Sequence, residues 1–230
     1  MPIEKFLYLE KLEYADNWIN GGEIPSPNLA SSYLSDQRSG INTPDETHII
    51  RGDDPRNLTN YGMKFSENNE LPLGHIHVAY SKFNNKPIPN TAYMHEIDDG
   101  IILSFANIYD QNIGKMLGEK AVCVKILDME KLRNCLDKQL DTISKMQECH
   151  YVSDHIRDHF TKSNADSWQK EYRIFWPTLK QKALIIPKGS AQFVSEIDRT
   201  PIPRLIECPC LSGKRYKQCH GKKPRITETM

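Results

Sequence analysis

The sequence predicts an α+β fold followed by a small metal-binding tail. Apolar runs of strand length recur along the chain without regular alternation with helices, which argues against a doubly wound parallel sheet. One long stretch has helical periodicity, and cysteines crowd near the C-terminal end. A single core commonly serves about 100 to 200 residues. We therefore expect a main domain over residues 1–200 and a tail over residues 201–230.

The N-terminal region predicts a strand, a helix and a long loop in that order. EKFLYL suits a short strand, and LEYADNWIN suits a helix that ends at the pair Gly21-Gly22. The segment from Glu23 to Glu46 is dense in proline, serine and asparagine, so it should be mostly loop. One short helix is expected in it, around Leu29–Leu34.

Three strands are predicted in the middle of the chain, and we expect them to be central. HIHVAYSK alternates in polarity, while GIILSFANIY and KAVCVKIL are continuous apolar runs. Asp128 should then cap a helix that runs to Cys149. Its apolar stripe is formed by residues spaced three and four apart, namely Leu132, Leu136, Leu140, Ile143 and Met146.

The last part of the main domain predicts a second helix and three strands. VSDHIRDHF is helix-like, WQKEYRIFW alternates, and KALIIPKG and QFVSEI are typical of closing strands. In the alternating segment, Glu171 and Arg173 share one face, opposite Tyr172 and its even-numbered neighbours.

We expect the chain to stay in the cytoplasm. No apolar run approaches the roughly 20 residues that cross a bilayer, and the start MPIEKFLYLEKLEY has no secretory signal pattern. The chain has 30 basic and 30 acidic residues, yet Arg204 to Arg225 is basic, with Glu207 as its acid. That segment is either a solvated tail or a docking surface for an acidic partner or RNA phosphates.

Cysteine and histidine spacing predicts a structural zinc site in the tail. Four N and S donors suit tetrahedral Zn²⁺ and leave no position open for water, so the metal should be structural. A segment this small cannot bury a core, so metal binding should supply its folding energy. The predicted ligands are Cys208, Cys210, Cys219 and His220. The remaining cysteines, Cys123, Cys135 and Cys149, should be reduced thiols.

The tail closely resembles the SEC-C motif found at the end of the Sec translocase motor ATPase. The matching positions are the Cys-x-Cys pair, Ser212-Gly213-Lys214, Tyr216-Lys217 and Cys219-His220-Gly221. The resemblance implies docking to a SecB-type chaperone or to the ribosome. It also implies that Lys214, Arg215 and Lys217 face an acidic partner.

The main domain resembles a set of bacterial proteins related to ADP-ribosyltransferases. The similar stretches are KFLYLEKLEYADNWINGGEIPSPNLASSYLSD, GIILSFANIY and SWQKEYRIFWP. The resemblance implies a split sheet with flanking helices, NAD⁺ as substrate and Glu171 as the catalytic carboxylate. From spacing alone, the alternative is that Glu171 is an exposed strand residue paired with Arg173.

The same resemblance implies an NAD-binding set, for which packing or surface roles are the alternatives. Its members are Tyr8, Ser32, Tyr33, Arg38, Arg51 and Ser104. Together the two resemblances predict a toxin of a bacterial or phage-defence toxin, antitoxin and chaperone module. Its acceptor would be RNA, DNA or protein. The alternative is a non-enzymatic adaptor that binds a chaperone or the ribosome.

Overall fold

A computed structural model describes residues 3–33, 46–64 and 71–221. The helices are α1 (Leu12–Ile19), α2 (Gln111–Met116) and α3 (Met129–Leu140). The strands of the first half are β1 (Lys5–Leu9), β2 (Gly22–Ile24), β3 (His48–Gly52), β4 (Gly74–Val78), β5 (Lys82–Phe83), β6 (Lys86–Pro87), β7 (Thr91–Ile97) and β8 (Ile101–Ala106). Those of the second half are β9 (Val122–Ile126), β10 (Lys145–Glu148), β11 (His150–Val152), β12 (Thr161–Ser163), β13 (Glu171–Trp176), β14 (Leu184–Ile186) and β15 (Ala191–Glu196). Short 3-10 helices cover Ala30–Tyr33, Pro55–Tyr61, Asn164–Gln169 and Tyr216–Gln218.

The main sheet has six antiparallel strands in the order β10-β13-β8-β1-β9-β15. β1 pairs with β9 at every position from Lys5↔Ile126 to Leu9↔Val122. Its other edge meets β8 only at Phe6↔Ala106. The pairing between β1 and β8 is therefore short, and a cavity lies where these two strands separate.

The principal core lies on one face of this sheet, beneath α1 and α3. Its large members include Leu7, Trp18, Val124, Leu136 and Trp176. Side chains alternate across a strand, so the odd-numbered residues of β13 face the opposite way. That second face carries α2 and the C-terminal tail.

The predicted α+β class is confirmed, and so are many of the individual elements. Asp128 caps α3 by accepting a hydrogen bond from the backbone N–H of Lys131. Strands form in EKFLYL, GIILSFANIY, KAVCVKIL, YRIFW, LII and QFVSE. The ADP-ribosyltransferase-like topology stays a prediction.

One strand expected to be central lies elsewhere. β4 forms the edge of a separate three-stranded sheet, β3-β7-β4. Its outward residues His75 and His77 are exposed, which explains the polar half of its alternation. β3 and β7 were not predicted.

Both helices predicted after Asp128 need correction. α3 ends at Leu140 because Asp141 adopts the left-handed conformation, with φ 52°, and the chain then enters β10. Ile143, placed in the buried stripe by its spacing, is 84% exposed. The segment VSDHIRDHF is not a helix, since it begins in β11 and continues through turns and bridges.

None of the helices within the described ranges has the length and apolar character needed to cross a membrane.

Candidate functional site

The four predicted zinc ligands converge at the end of the described chain. The donor atoms of Cys208, Cys210, Cys219 and His220 all lie within 4.8 Å of one another. The Cys208 Sγ to His220 Nδ1 distance is 3.2 Å, and the Cys210 Sγ to Cys219 Sγ distance is 3.5 Å. A tetrahedral Zn²⁺ with bonds of about 2.3 Å separates its donors by about 3.6 to 3.8 Å. The donor set therefore fits zinc in both composition and spacing.

Short backbone links hold this arrangement together. The Cys208 N–H donates to the Lys214 carbonyl, and the Cys219 N–H donates to the Tyr216 carbonyl. Between them the chain turns at Leu211 and Gly213, which both have positive φ. Burial lowers the pKa of His220, which favours the neutral imidazole that a metal requires.

A protein-family model described as the SEC-C motif matches residues 207–222. Over 35 residues the chain is 54% identical to the protein translocase subunit SecA of Hyphomonas neptunium (strain ATCC 15444). That match covers 15% of this chain and 4% of the relative. The tail carries a SEC-C motif. No solved structure matches the chain.

The SEC-C tail packs against the second face of the main sheet. Cys208 is 1% exposed and belongs to a cluster with Tyr8, Trp168 and Ile197. The outer surface of the tail is different, since Lys214 and Arg215 are exposed and Leu211 is 84% exposed. One side of this zinc knuckle, residues 207–221, thus contacts the main domain, and its other side is exposed to solvent.

A buried ionic cluster lies on the same face of the sheet, at the start of β13. Arg173 Nε donates to Glu171 Oε1 at 2.6 Å, and its Nη2 donates to Glu46 Oε1 at 2.7 Å. Lys162 Nζ donates to Glu171 Oε2 at 2.9 Å. Arg173, Lys162 and Glu171 are 2%, 4% and 6% exposed. The charges of two cations and two carboxylates therefore neutralise each other in a site that is buried from water.

The charges in this cluster stabilise each other strongly. Burial alone would raise the pKa of Glu171, but Arg173 and Lys162 outweigh burial and hold that pKa well below its ordinary value. Burial alone would lower the pKa of Lys162, but Glu171 and Glu46 raise it. All these groups are consequently charged at neutral pH.

The cluster forms part of the wall of a cavity of about 380 Å³ at the opening between β1 and β8. This volume falls within the range of roughly 300 to 1,000 Å³ that is usual for small-molecule sites. Its lining is mainly apolar and aromatic, with Phe6, Tyr14 and Trp18 among the rings. The arrangement suits a ligand with a flat apolar part and a polar part.

The structure brings three of the predicted main-domain residues together. Tyr8, Ser104 and Glu171 all line the cavity. Ser104 is the cross-strand neighbour of Arg173. Tyr8 is buried, and its hydroxyl donates to the Asp110 carbonyl at 2.9 Å. The alternative of an exposed Glu171 is wrong, although its pairing with Arg173 is confirmed.

Among the described residues, Ser32 and Arg51 are not brought to the cavity. Ser32 is exposed, and Arg51 is exposed on the separate small sheet. Neither contributes to the lining. Arg38 lies outside the described residues, as does the side chain of Tyr33.

Sequence reasoning missed three polar members of the wall, Glu46, Lys162 and Gln169. Gln169 Oε1 accepts from Lys162 Nζ at 2.8 Å. Glu46 is separated from Arg173 by 127 positions, so no local pattern could have paired them. For Gln169 the sequence offered one indication, which is its position two residues before Glu171 in the segment WQKE.

Proposed function

We propose that the SEC-C tail is a zinc-dependent docking module for a SecB-type chaperone. The observation that carries this proposal is the motif match over residues 207–222, together with the Cys3His donor set. Lys214 and Arg215 flank the metal site and are exposed, so they are available to an acidic partner. The ribosome is the second candidate partner, because its phosphates would also attract these cations.

A pull-down with the full chain distinguishes these partners. Cys219→Ser should lose capture of a SecB-type chaperone because the knuckle requires its metal to fold. Cys135→Ser is the matched control, since Cys135 is a free, partly buried cysteine in α3 on the opposite face of the sheet. Capture of ribosomes alone would move the proposal to the ribosome, and equal capture by Cys219→Ser would end it.

We further propose that the main domain is an NAD-dependent ADP-ribosyltransferase. The support is the shared cavity of Tyr8, Ser104 and Glu171 at the opening in the sheet. In this reaction the bond between the ribose C1′ and the nicotinamide nitrogen breaks, and the electron pair leaves with neutral nicotinamide. The acceptor then attacks C1′ and releases a proton. The charge on the intermediate ribose is the feature that a carboxylate can stabilise.

The electrostatics define which role Glu171 would have. A carboxylate with a strongly lowered pKa is a weak general base at neutral pH. It remains a hydrogen-bond acceptor and a fixed negative charge. Glu171 would therefore orient a ribose hydroxyl and stabilise the developing cation, and the proton from the acceptor would leave to another group or to water.

Labelled NAD⁺, incubated separately with RNA, DNA and lysate protein, tests this activity. Glu171→Gln should lower the transfer rate by about 10² to 10³ with little change in NAD⁺ affinity, the usual cost of removing one electrostatic group. Folding must be checked at the assay temperature, because Glu171 is also buried and ion-paired. A folded variant that transfers at the wild-type rate would remove Glu171 from the mechanism.

A transferase joined to a chaperone-docking tail would fit a cytoplasmic toxin that is controlled by an antitoxin and a chaperone in bacterial or phage defence. The adaptor is the rival function. It is favoured by the closed ionic cluster, in which the Glu171 oxygens already accept from Arg173 and Lys162. An adaptor predicts no label on RNA, DNA or protein, and intact chaperone capture by Glu171→Gln.

A further inference from the structure

The contact between the SEC-C tail and the main domain centres on Trp168. The His220 ring meets the Trp168 indole edge-on, with a centroid distance of 5.2 Å and an interplanar angle of 77°. Such aromatic pairs contribute attraction beyond the area that they bury. His220 therefore contacts the indole directly, and Cys208 lies in the same apolar cluster.

Trp168 is directly connected to the cavity wall. It occupies the 3-10 helix Asn164–Gln169, and β13 begins two residues after that helix. The neighbouring Gln169 accepts from Lys162 Nζ at 2.8 Å, and the same ammonium donates to Glu171 at 2.9 Å. A displacement of Trp168 would thus move Gln169 and, through these hydrogen bonds, Lys162 and Glu171.

Packing alone sets the position of this indole. Its Nε1 atom is buried and has no hydrogen-bond partner within the described part of the chain. Without such a bond, the tail is a major restraint on the ring. Gln169 Nε2 is also buried and unpartnered among the described residues, although its other amide atom is fixed by Lys162.

We propose that Trp168 is a positioning residue that ties the shape of the cavity to the folded state of the zinc knuckle. When the knuckle holds its metal, His220 supports the indole, and the helix sets Gln169 and Lys162 in the wall. When the metal is lost, the knuckle unfolds, the indole loses that support, and the wall loosens. A partner that alters the knuckle would act on the cavity by the same route. The proposal requires the zinc site but not the transferase activity.

Hydrogen exchange on the full chain, loaded with zinc or stripped by a chelator, tests this link. Stripping should speed exchange at least tenfold in peptides covering residues 161–173, besides the tail itself. Peptides covering α3 lie on the other face and should keep their protection. Unchanged exchange over residues 161–173, with a tail that has lost protection, would overturn the proposal.

One substitution separates the metal from the ring contact. His220→Cys creates a four-cysteine set, which also suits structural zinc, but it removes the imidazole beside Trp168. We expect zinc to remain at one per chain while exchange over residues 161–173 rises. A zinc-loaded variant with wild-type exchange there would show that His220 is not the link.

Substitution of Trp168 itself, with a control elsewhere in the main sheet, tests its specific role. Trp168→Phe should raise exchange over residues 161–173 severalfold in zinc-loaded protein and should reduce the further response to chelator. Phe193→Leu, in β15 and outside the cavity lining, should leave both quantities at wild-type values. Equal behaviour of the two variants would contradict a specific role for Trp168.

Discussion

Replacing Glu171 by glutamine should lower the free energy of unfolding by about 3 to 5 kcal/mol, the usual cost of breaking a buried ion pair from one side. The substitution preserves shape and removes one negative charge. Arg173 and Lys162 would then share a single carboxylate, Glu46, in a site where these cations are 2% and 4% exposed. The uncompensated positive charge is the source of the loss.

The distances set the scale of this effect. Glu171 accepts from Arg173 Nε at 2.6 Å and from Lys162 Nζ at 2.9 Å. At an effective dielectric constant of about 20, each contact corresponds to roughly 6 kcal/mol of attraction. Relief from the desolvation of one carboxylate offsets much of that sum. The glutamine oxygen can still accept one hydrogen bond, but its NH₂ group would face a cationic donor.

Urea unfolding followed by circular dichroism measures the change, with Glu148→Gln as the control. Glu148 is an exposed glutamate on the adjacent strand β10, so its replacement should stay within about 0.5 kcal/mol of wild type. Wild-type stability in Glu171→Gln as well would refute the buried cluster as a stabilising element. It would also mean that the carboxylate is more hydrated than the structure indicates.

Three further outcomes are expected. The pKa values of Glu171 and Glu46 are lowered from 4.5, so the stability that these carboxylates contribute should be fully present above that pH and should fall as the pH drops below it. The fall should be steeper in wild type than in Glu171→Gln, and parallel pH profiles of the two proteins would contradict this. Elemental analysis should find one zinc per chain and a loss of zinc in Cys208→Ser, and wild-type protein purified without stoichiometric metal would contradict the site. Reversing the charge of Lys214 and Arg215 should weaken chaperone binding and flatten its salt dependence, whereas an unchanged salt dependence would place the contact elsewhere.

Local sequence signals predicted the elements that local physics determines. The cap at Asp128 and the strand β13 follow from side-chain chemistry and alternation within a few residues. The end of α3 was missed because Asp141, rather than a glycine, adopts the left-handed turn. The helical spacing of Ile143 and Met146 then extended the predicted helix into a segment that forms part of β10 instead.

The candidate sites differ in how far the sequence could locate them. The zinc ligands occur within a few residues of one another, so their spacing alone specified the site. The ionic cluster depends on tertiary contacts, since Glu46 lies 127 positions from Arg173 and Lys162 comes from a segment for which no element was predicted. The periodicity of a sequence does not indicate such long-range contacts. The alternation in β13 therefore placed Glu171 and Arg173 on one face, but it did not determine whether they are buried.

The most direct test of the account is a calorimetric titration of a SecB-type chaperone into the zinc-loaded full chain, repeated with zinc-stripped protein and with Cys219→Ser. A zinc-dependent docking tail should give saturable binding by the zinc-loaded chain only, with the main domain still folded in all three samples. Equal binding by the zinc-stripped protein and by Cys219→Ser would contradict a zinc-dependent docking tail.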